Sequence, residues 1–371
     1  VDWLAEAGWE VDTLGLGGRP TTAVRDHFPL EAPSRWVTTR AGVLAAQLLL
    51  PATVRFRRQV VDRIPRAARD RLRSGQYDLV VFNETEFGPL LADPSVFTPA
   101  ARRARLHLDL HEYHNPTQRR QTLGARITGS HYRWVRGFIG HPAFTSRSVV
   151  NAPIGRLYVD EFGVDPLVPV RNIPPFVDQA PSPVDPAEIR LLFHGLASWK
   201  RGFDAILDAM RLLPEHFSMT FMLMPNPAVE ARLRESIAAH PAGARIRIVP
   251  PAPMRELAER INEYDLEIIF YRPLERNLEF ALPNKFFEAV QGRLGVVVGE
   301  SPAMAEIVRE LGIGVVVPGF DAADLAASLG ELTVDDVARI KAASHRAADV
   351  LNAEVEREAF LAAVESDARA R

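Results

Sequence analysis

The chain of 371 residues has no cysteine, so disulfides and thiolate metal sites are excluded from the start. No apolar run approaches the roughly 20 residues that a membrane-spanning helix needs. A signal-peptide pattern is also lacking, and the expected compartment is the cytoplasm, with a peripheral place at the inner face of the membrane as the variant of it. There is no short-period internal repeat and no low-complexity segment. Basic residues are not interleaved with aromatics as in nucleic-acid modules, which argues against a nucleic-acid partner. Lysine is absent from residues 1–185, where 23 arginines face 19 acids; the remainder has 21 bases against 28 acids. The net charge of −3 thus hides a basic first half and an acidic second half. Within Pro51–Val150 the excess is 17 bases to 8 acids. Such a half suits an anionic membrane surface or an acidic acceptor, and equally an arginine-rich composition with no special role.

What is present reads as a globular chain of two domains. An apolar fraction of 47% suffices for packed cores, and the length exceeds what one ordinary core serves. Val1–Gly8 reads as the end of a helix and Trp9–Leu16 as a strand. Trp36–Leu72 has helical period broken at Pro51 and Pro65, with Arg55, Arg57, Arg58, Arg63, Arg66 and Arg69 as a basic surface. Tyr77–Phe82 and Arg105–Leu110 are short buried strands. They deliver Asn83-Glu-Thr-Glu86 and His111-Glu-Tyr-His114 to the carboxyl edge of a sheet, where ligands bind in open α/β folds. Glu84, Glu86 and Glu112 are therefore acceptor-site candidates. The His111, Glu112 and His114 spacing is not that of a helical metal-binding pair, so no metal is expected. His141–Val150 reads as a further strand and Ile154–Phe162 as a helix capped by Gly163.

Seven prolines between Asp165 and Pro186 mark an interdomain linker. Beyond it, strands at Arg190–His194, Met219–Met224, Arg245–Val249, Leu266–Tyr271, Gly295–Gly299 and Gly314–Val317 alternate with helices. That is the pattern of a doubly wound parallel sheet. Two stretches stand out. In Ala281-Leu-Pro-Asn-Lys-Phe-Phe-Glu-Ala-Val-Gln-Gly292, Pro283 ends the preceding segment, Asn284 is an expected N-cap and Gly292 an expected stop. Lys285 is the odd residue, because a cation in a helix's first turn costs about a few tenths of a kcal/mol against the macrodipole. It is either solvated or it shares an anion with the free backbone N–H groups. Glu288, one turn on, can accept hydrogen bonds from sugar hydroxyls. The second stretch repeats the plan, with a strand ending at Gly195, then Lys200-Arg201-Gly202, then an amphipathic helix.

With these motifs the run from about Ile189 to Phe320 resembles the donor half of the family 4 glycosyltransferases. The shared features are the strand-Gly-loop-Arg-Gly-helix, Leu282-Pro-Asn-Lys-Phe-Phe-Glu288, Gly292-x-x-Gly-Val-Val-Val298 and Glu306-Ile-Val-x-x-Leu-Gly-Ile-Gly-Val-Val-Val317. The resemblance implies a GT-B architecture, two Rossmann-like doubly wound domains facing a central cleft. It implies domains at 1–168 (acceptor side, with a first strand and glycine-bearing loop expected ahead of residue 1) and 187–350 (nucleotide-sugar side). A linker would fill 169–186, and a helix at 351–371 would return to the first domain. It further implies metal-independent, retaining transfer from a nucleotide-sugar donor to a sugar or lipid-linked acceptor, without a cofactor. His111 would face the donor sugar. Arg201 and Lys285, with Lys200 in support, would neutralise the leaving diphosphate, and Gly195, Asn284 and Glu288 would line the donor site, with Pro250 beside the base.

Two departures accompany the resemblance. The basic residue usual after the glycine is Leu196 here. The first glutamate of the paired motif falls on Phe280, with Glu279 one position off as its substitute. A catalytically inactive GT-B scaffold and a UDP-sugar 2-epimerase are the alternatives from other classes.

Overall fold

The computed structural model describes residues 1–33, 39, 46, 49–113, 123–274 and 276–366. The chain divides into two compact units, Val1–Val170 with Arg357–Arg371, and Arg171–Glu356.

In the first unit, β1 (Val11–Gly15) and β2 (Val24–Pro29) form a parallel pair. A second sheet holds β3 (Leu79–Asn83), β4 (Arg105–Leu110), β5 (Ser146–Val149) and β6 (Val168–Pro169), all parallel and in that order. Strand β2 has no sequence signature, because Val-Arg-Asp-His-Phe-Pro carries its charges mid-strand. They are paired, Arg25 gripping Asp12 of β1 at 2.9 and 2.7 Å and Arg71, from the helix Arg66–Ser74, bridging Asp12 and Asp26. The expected strand His141–Val150 shrinks to Ser146–Val149, because a 3-10 turn at Gly137–Gly140 runs into a further turn before the chain extends. Its following helix, Ala152–Phe162, starts earlier than expected, because the Asn151 side chain accepts from Ile154 N–H as an N-cap. The helix at Ala353–Glu365 contributes Phe360 to this unit, where its ring meets Trp3 and His107.

The expected helical stretch Trp36–Leu72 lies outside the described residues for most of 34–48. Beyond it, helices at Ala52–Gln59 and Arg66–Ser74 start after Pro51 and Pro65, where proline suits an N-terminus. The six arginines expected as one basic surface are not all on it. Arg55 is only 5% exposed, Arg63 donates to Glu31 O and Gln59 O, and Arg69 donates to Val61 O and Ile64 O. Two of the six therefore serve backbone carbonyls, and a third, Arg55, is buried.

The second unit is built on six parallel strands, β7 (Ile189–Leu196), β8 (Phe217–Met224), β9 (Ile246–Val249), β10 (Leu266–Ile269), β11 (Gly295–Gly299) and β12 (Gly314–Val317). Their order, β9-β8-β7-β10-β11-β12, is that of the dinucleotide-binding doubly wound sheet, with its reversal of direction between β7 and β10. The strands are near-continuous apolar runs because helices cover both faces. The helix Asn284–Gln291 packs Phe286, Phe287, Ala289 and Val290 into this core, each phenylalanine contributing about 2–3 kcal/mol by burial.

Two expectations about that helix are corrected. Its N-cap is Pro283, and Asn284 is already the first helical residue. Gly292 does not take the left-handed conformation that usually stops a helix; Arg293 does, with φ of 64°. Arg293 tolerates it because its buried guanidinium donates to Gln179 O, Gln291 O, Val290 O and Val177 O, which over-determines the turn. Those bonds also fasten part of the proline-rich segment onto the second unit, joined by Val177 N–H to Gln291 Oε1 and Lys341 Nζ to Ser182 Oγ.

Candidate functional site

The carboxyl edge of the second sheet, at the reversal between β7 and β10, gathers a compact group of charges. Glu267 on β10 pairs in register with Leu192 on β7, so its side chain shares a face with His194, two residues on. Glu267 is fully buried and His194 is 3% exposed. The His194 backbone N–H donates to Glu267 Oε1 at 3.1 Å, while His194 Nδ1 and Glu267 Oε2 lie 3.0 Å apart, an ion-pair separation off the line of a hydrogen bond. On its other side His194 Nε2 bonds Glu288 Oε2 at 2.8 Å. The imidazole thus bridges two glutamates. Burial alone pushes it down, but the two carboxylates reverse this and raise it above its ordinary value.

Lys285 completes the group. It is 5% exposed, not solvated, with Nζ 3.4 Å above the Phe193 ring and 3.6 Å from Glu267 Oε1. No well-formed hydrogen bond from the described residues reaches that ammonium. Burial lowers it from 10.5 to about 8, with Glu267 opposing and Arg201 adding to the drop. Such a depression corresponds to about 3 kcal/mol against the charged form. Gly195, with φ of 105°, is the last residue but one of β7 and lies against Lys285; a Cβ there would stand 3.9 Å from Nζ. Arg201 lies in the 3-10 turn Trp199–Arg201, donates from Nη1 to Tyr271 Oη at 2.8 Å and stacks over the Tyr271 ring. Tyr271 is pushed up to about 12, chiefly by burial. Gly202, with φ of 85°, then turns the chain into the helix Phe203–Leu212. A Cβ at that position would meet Phe270 O at 2.4 Å, so both conformation and space require glycine.

The candidates from the sequence therefore sort unevenly. Gly195, Arg201, Lys285 and Glu288 come together at this edge. Lys200 is exposed beside Arg201, and Pro250 is exposed just past the end of β9. Glu279 is held by Arg276 at 2.9 and 3.0 Å on the turn that precedes the lysine helix. His194 and Glu267 were not expected. The signal was present: each is the one charged or polar residue in an apolar strand core, Leu-Leu-Phe-His and Leu-Glu-Ile-Ile, where an unpartnered group would be prohibitive.

The first unit has its own carboxyl edge. His111, just past β4, directs Nε2 to Asp109 Oδ2 at 3.0 Å and to Asn83 Oδ1 at 2.8 Å. Its backbone N–H donates to Glu84 Oε1 at 2.7 Å. Glu84 occupies a left-handed conformation, φ 69°, that a side chain normally avoids, the kind of local strain found at functional edges. Asp109 also accepts from Ser148 Oγ, whose partner His107 is buried and lowered to about 4. Burial pushes the Asp109 carboxyl up, but His111 and Ser148 bring it below its usual value; His111 in turn is raised by its bond to Asp109. Of the acceptor candidates, Glu84 is engaged in holding His111, while Glu86 and Glu112 are exposed. His114 lies outside the described residues. Among the described residues no group of three or more His, Asp or Glu side chains is arranged to hold a metal ion, and no helix is long and apolar enough to cross a membrane.

No family model and no curated protein sequence matches the chain. Solved structures do. A glycosyltransferase from Rickettsia africae ESF-5 aligns over 98% of this chain and 91% of its own, with 14% identity and a TM-score of 0.64. WaaG, a glycosyltransferase involved in lipopolysaccharide biosynthesis, aligns over 98% and 94%, with 14% identity and a TM-score of 0.60. TarM aligns over 78% of this chain with 12% identity and a TM-score of 0.55, and this chain spans 55% of TarM's length. At these identities the likeness is one of architecture, shared by parallel α/β units of the same kind. The chain has the GT-B fold of glycosyltransferases.

Proposed function

We propose that the protein is a glycosyltransferase. It moves a hexosyl group from a nucleoside-diphosphate sugar to a sugar or lipid-linked acceptor, with retention, in the synthesis of a surface polysaccharide or glycoconjugate. The observation that carries this reading is Lys285, a buried ammonium with no well-formed hydrogen bond among the described residues, beside Gly195 at the reversal point of a doubly wound sheet. An anionic oxygen lying where a Gly195 Cβ would stand meets Nζ at once. A buried cation held at such a cost needs a counter-charge, and a diphosphate supplies one. TarM, one of the structural neighbours, has been crystallised in complex with UDP.

In the transfer, the acceptor hydroxyl oxygen bonds to the anomeric carbon on the face from which phosphate departs. The bond from that carbon to the phosphate oxygen breaks, its electron pair goes to the diphosphate, and the leaving phosphate oxygen takes the hydroxyl proton. Lys285, Arg201 and the N-terminal N–H groups of the helices they precede or open stabilise the charge that develops there. Glu288 holds the ribose through the oxygen that His194 does not use. The loop at Pro250 lies beside the base.

A thermal-shift panel of nucleoside-diphosphate sugars identifies the donor, since a ligand bound only to the native state raises the melting temperature. With that donor, Arg201→Ala and Lys285→Met each lower transfer about a hundredfold, roughly 3 kcal/mol of transition-state stabilisation. Turnover near the wild-type rate in both variants would falsify the assignment.

A further inference from the structure

Arg201, half-buried, is turned to Tyr271, and the charges that remain around the imidazole do not balance with a neutral histidine. Glu267 and Glu288 carry two negative charges and Lys285 one positive; all three groups, with His194, are at least largely buried, the Glu288 side chain being the most open at 12%. A proton on His194 closes the account. The groups that face the imidazole from each neighbouring element agree with this. Glu267 approaches from β10, Glu288 from the helix Asn284–Gln291, and Lys285 from the same helix, with Tyr271 and Arg201 beyond them. The β8 neighbour in register is the apolar Met222. Nε2 is hydrogen-bonded to Glu288 Oε2 at 2.8 Å and Nδ1 lies 3.0 Å from Glu267 Oε2, so a carboxylate oxygen faces each ring nitrogen, the setting that favours the doubly protonated ring.

We propose that His194 is a positioning residue that works as an imidazolium. By bridging Glu267 and Glu288 it holds one Glu288 oxygen, turns the other outward for a ligand hydroxyl, and offsets one of the two carboxylates, so that an arriving diphosphate meets a neutral group and not an anionic one. Binding of a nucleoside diphosphate is then linked to the proton on His194. This rests on the donor reading above. The role differs from a merely structural one because it is the charge, and not the shape, of the side chain that matters. A glutamine at the position keeps a donor toward Glu288 but cannot carry the proton.

The test has two readouts on the full chain. The first needs no ligand: ring carbon and nitrogen resonances of labelled histidine, assigned with His194→Gln, followed from pH 6 to 9. The expected result is a doubly protonated His194 ring at pH 7. The second is the dissociation constant of UDP, ADP and GDP by calorimetry, from pH 7 to 9.5, for wild type, His194→Gln and Lys285→Met. In wild type two proton-linked steps weaken binding as pH rises; His194→Gln loses one and Lys285→Met the other, and at pH 7 His194→Gln binds the preferred nucleotide about tenfold more weakly. A ring that is neutral at pH 7 overturns the proposal. So does a folded His194→Gln chain that binds as wild type does across the range. A wild-type chain that binds none of the three nucleotides, with its His194 ring doubly protonated, overturns the donor reading and supports the bridge.

Discussion

The chain has three lysines among 44 basic residues, and two of them are buried at opposite ends of the same strand. Lys341 is 1% exposed, near the start of β10, and its ammonium donates to Tyr264 O at 2.7 Å, Ser182 Oγ at 2.9 Å and Asp265 Oδ1 at 3.1 Å. Asp265 is itself gripped by Arg190 through Nε and the backbone N–H. Lys285, at the carboxyl end, has an aromatic face and a distant carboxylate. Burial lowers both lysines, yet only the first has all three of its protons placed. The difference separates a charge kept to fix the fold from one kept for a ligand. A fully satisfied buried ion specifies a unique arrangement, whereas a half-satisfied one destabilises the protein unless something else completes it.

The largest effect belongs to the first lysine. Lys341→Met strands Asp265, Tyr264 O and Ser182 around an apolar tip, and should destabilise the second unit by about 4 kcal/mol. Urea denaturation, with amide exchange on β7 and β10 to locate the loss, reads this directly. Nucleotide affinity of the molecules that remain folded should not change. If affinity falls with stability, the two ends of β10 are not independent and the contrast between them collapses.

Lys285→Met should behave in the opposite way. The methionine fills the same volume against Phe193, where sulfur–aromatic contact is favourable, and removes an ammonium that costs about 3 kcal/mol to bury. Unfolding at pH 7 should therefore move to equal or higher urea concentration, while transfer falls as described above. A variant less stable than wild type by more than about 1 kcal/mol would show that Lys285 holds the fold.

Titration sharpens the same contrast at somewhat smaller amplitude. Lys285 has a native value of about 8 against 10.5 in an unfolded chain, so between those values the unfolded state binds more protons and stability rises with pH. His194 is raised above 6.5, so its contribution is complete below 6.5 and is lost as pH climbs through its native value. The stability advantage of Lys285→Met over wild type should accordingly be largest at pH 8 and below and shrink by about 2 kcal/mol by pH 10. A constant difference across that range would mean that the folded protein does not weaken the lysine's hold on its proton.

How much of this was legible before the structure depends on distance along the chain. The six strands of the second unit stood out as apolar runs, and their endpoints moved by only a few residues. Arg201 and Lys285 were legible because each is a cation at the start of a helix that follows a buried strand. His194 and Glu267 were not, although each visibly interrupts an apolar run, because 73 residues separate them and only the sheet order makes β7 and β10 neighbours. The Lys341 clamp was hidden for the same reason. Local preference misled at Gly292, where the left-handed turn falls one residue later on Arg293, stabilised by carbonyls that a sequence pattern does not show. In the first unit the charge run from Arg55 read as one surface, whereas Arg55 is buried and Arg63 and Arg69 donate to backbone carbonyls.

The smallest effect concerns Glu279, at the same edge as Lys285 but on its exposed flank. Its carboxylate pairs with Arg276 three residues earlier, at 2.9 Å, with the two side chains 34% and 51% exposed. An exposed pair of that kind contributes at most about 0.5 kcal/mol, so Glu279→Ala should leave the unfolding curve nearly where it was. If the carboxylate also serves as the missing first glutamate of the sugar site, the variant should lower kcat/KM for the donor about tenfold while nucleoside-diphosphate affinity stays unchanged. Arg276→Ala supplies the control. It frees the carboxylate without removing it, so activity holds or rises if Glu279 binds sugar, and follows Glu279→Ala downward if the pair merely shapes the turn before Pro283. Equal losses in the two variants would assign sugar recognition elsewhere and leave the buried charges around Lys285 as the chemically committed part of this edge.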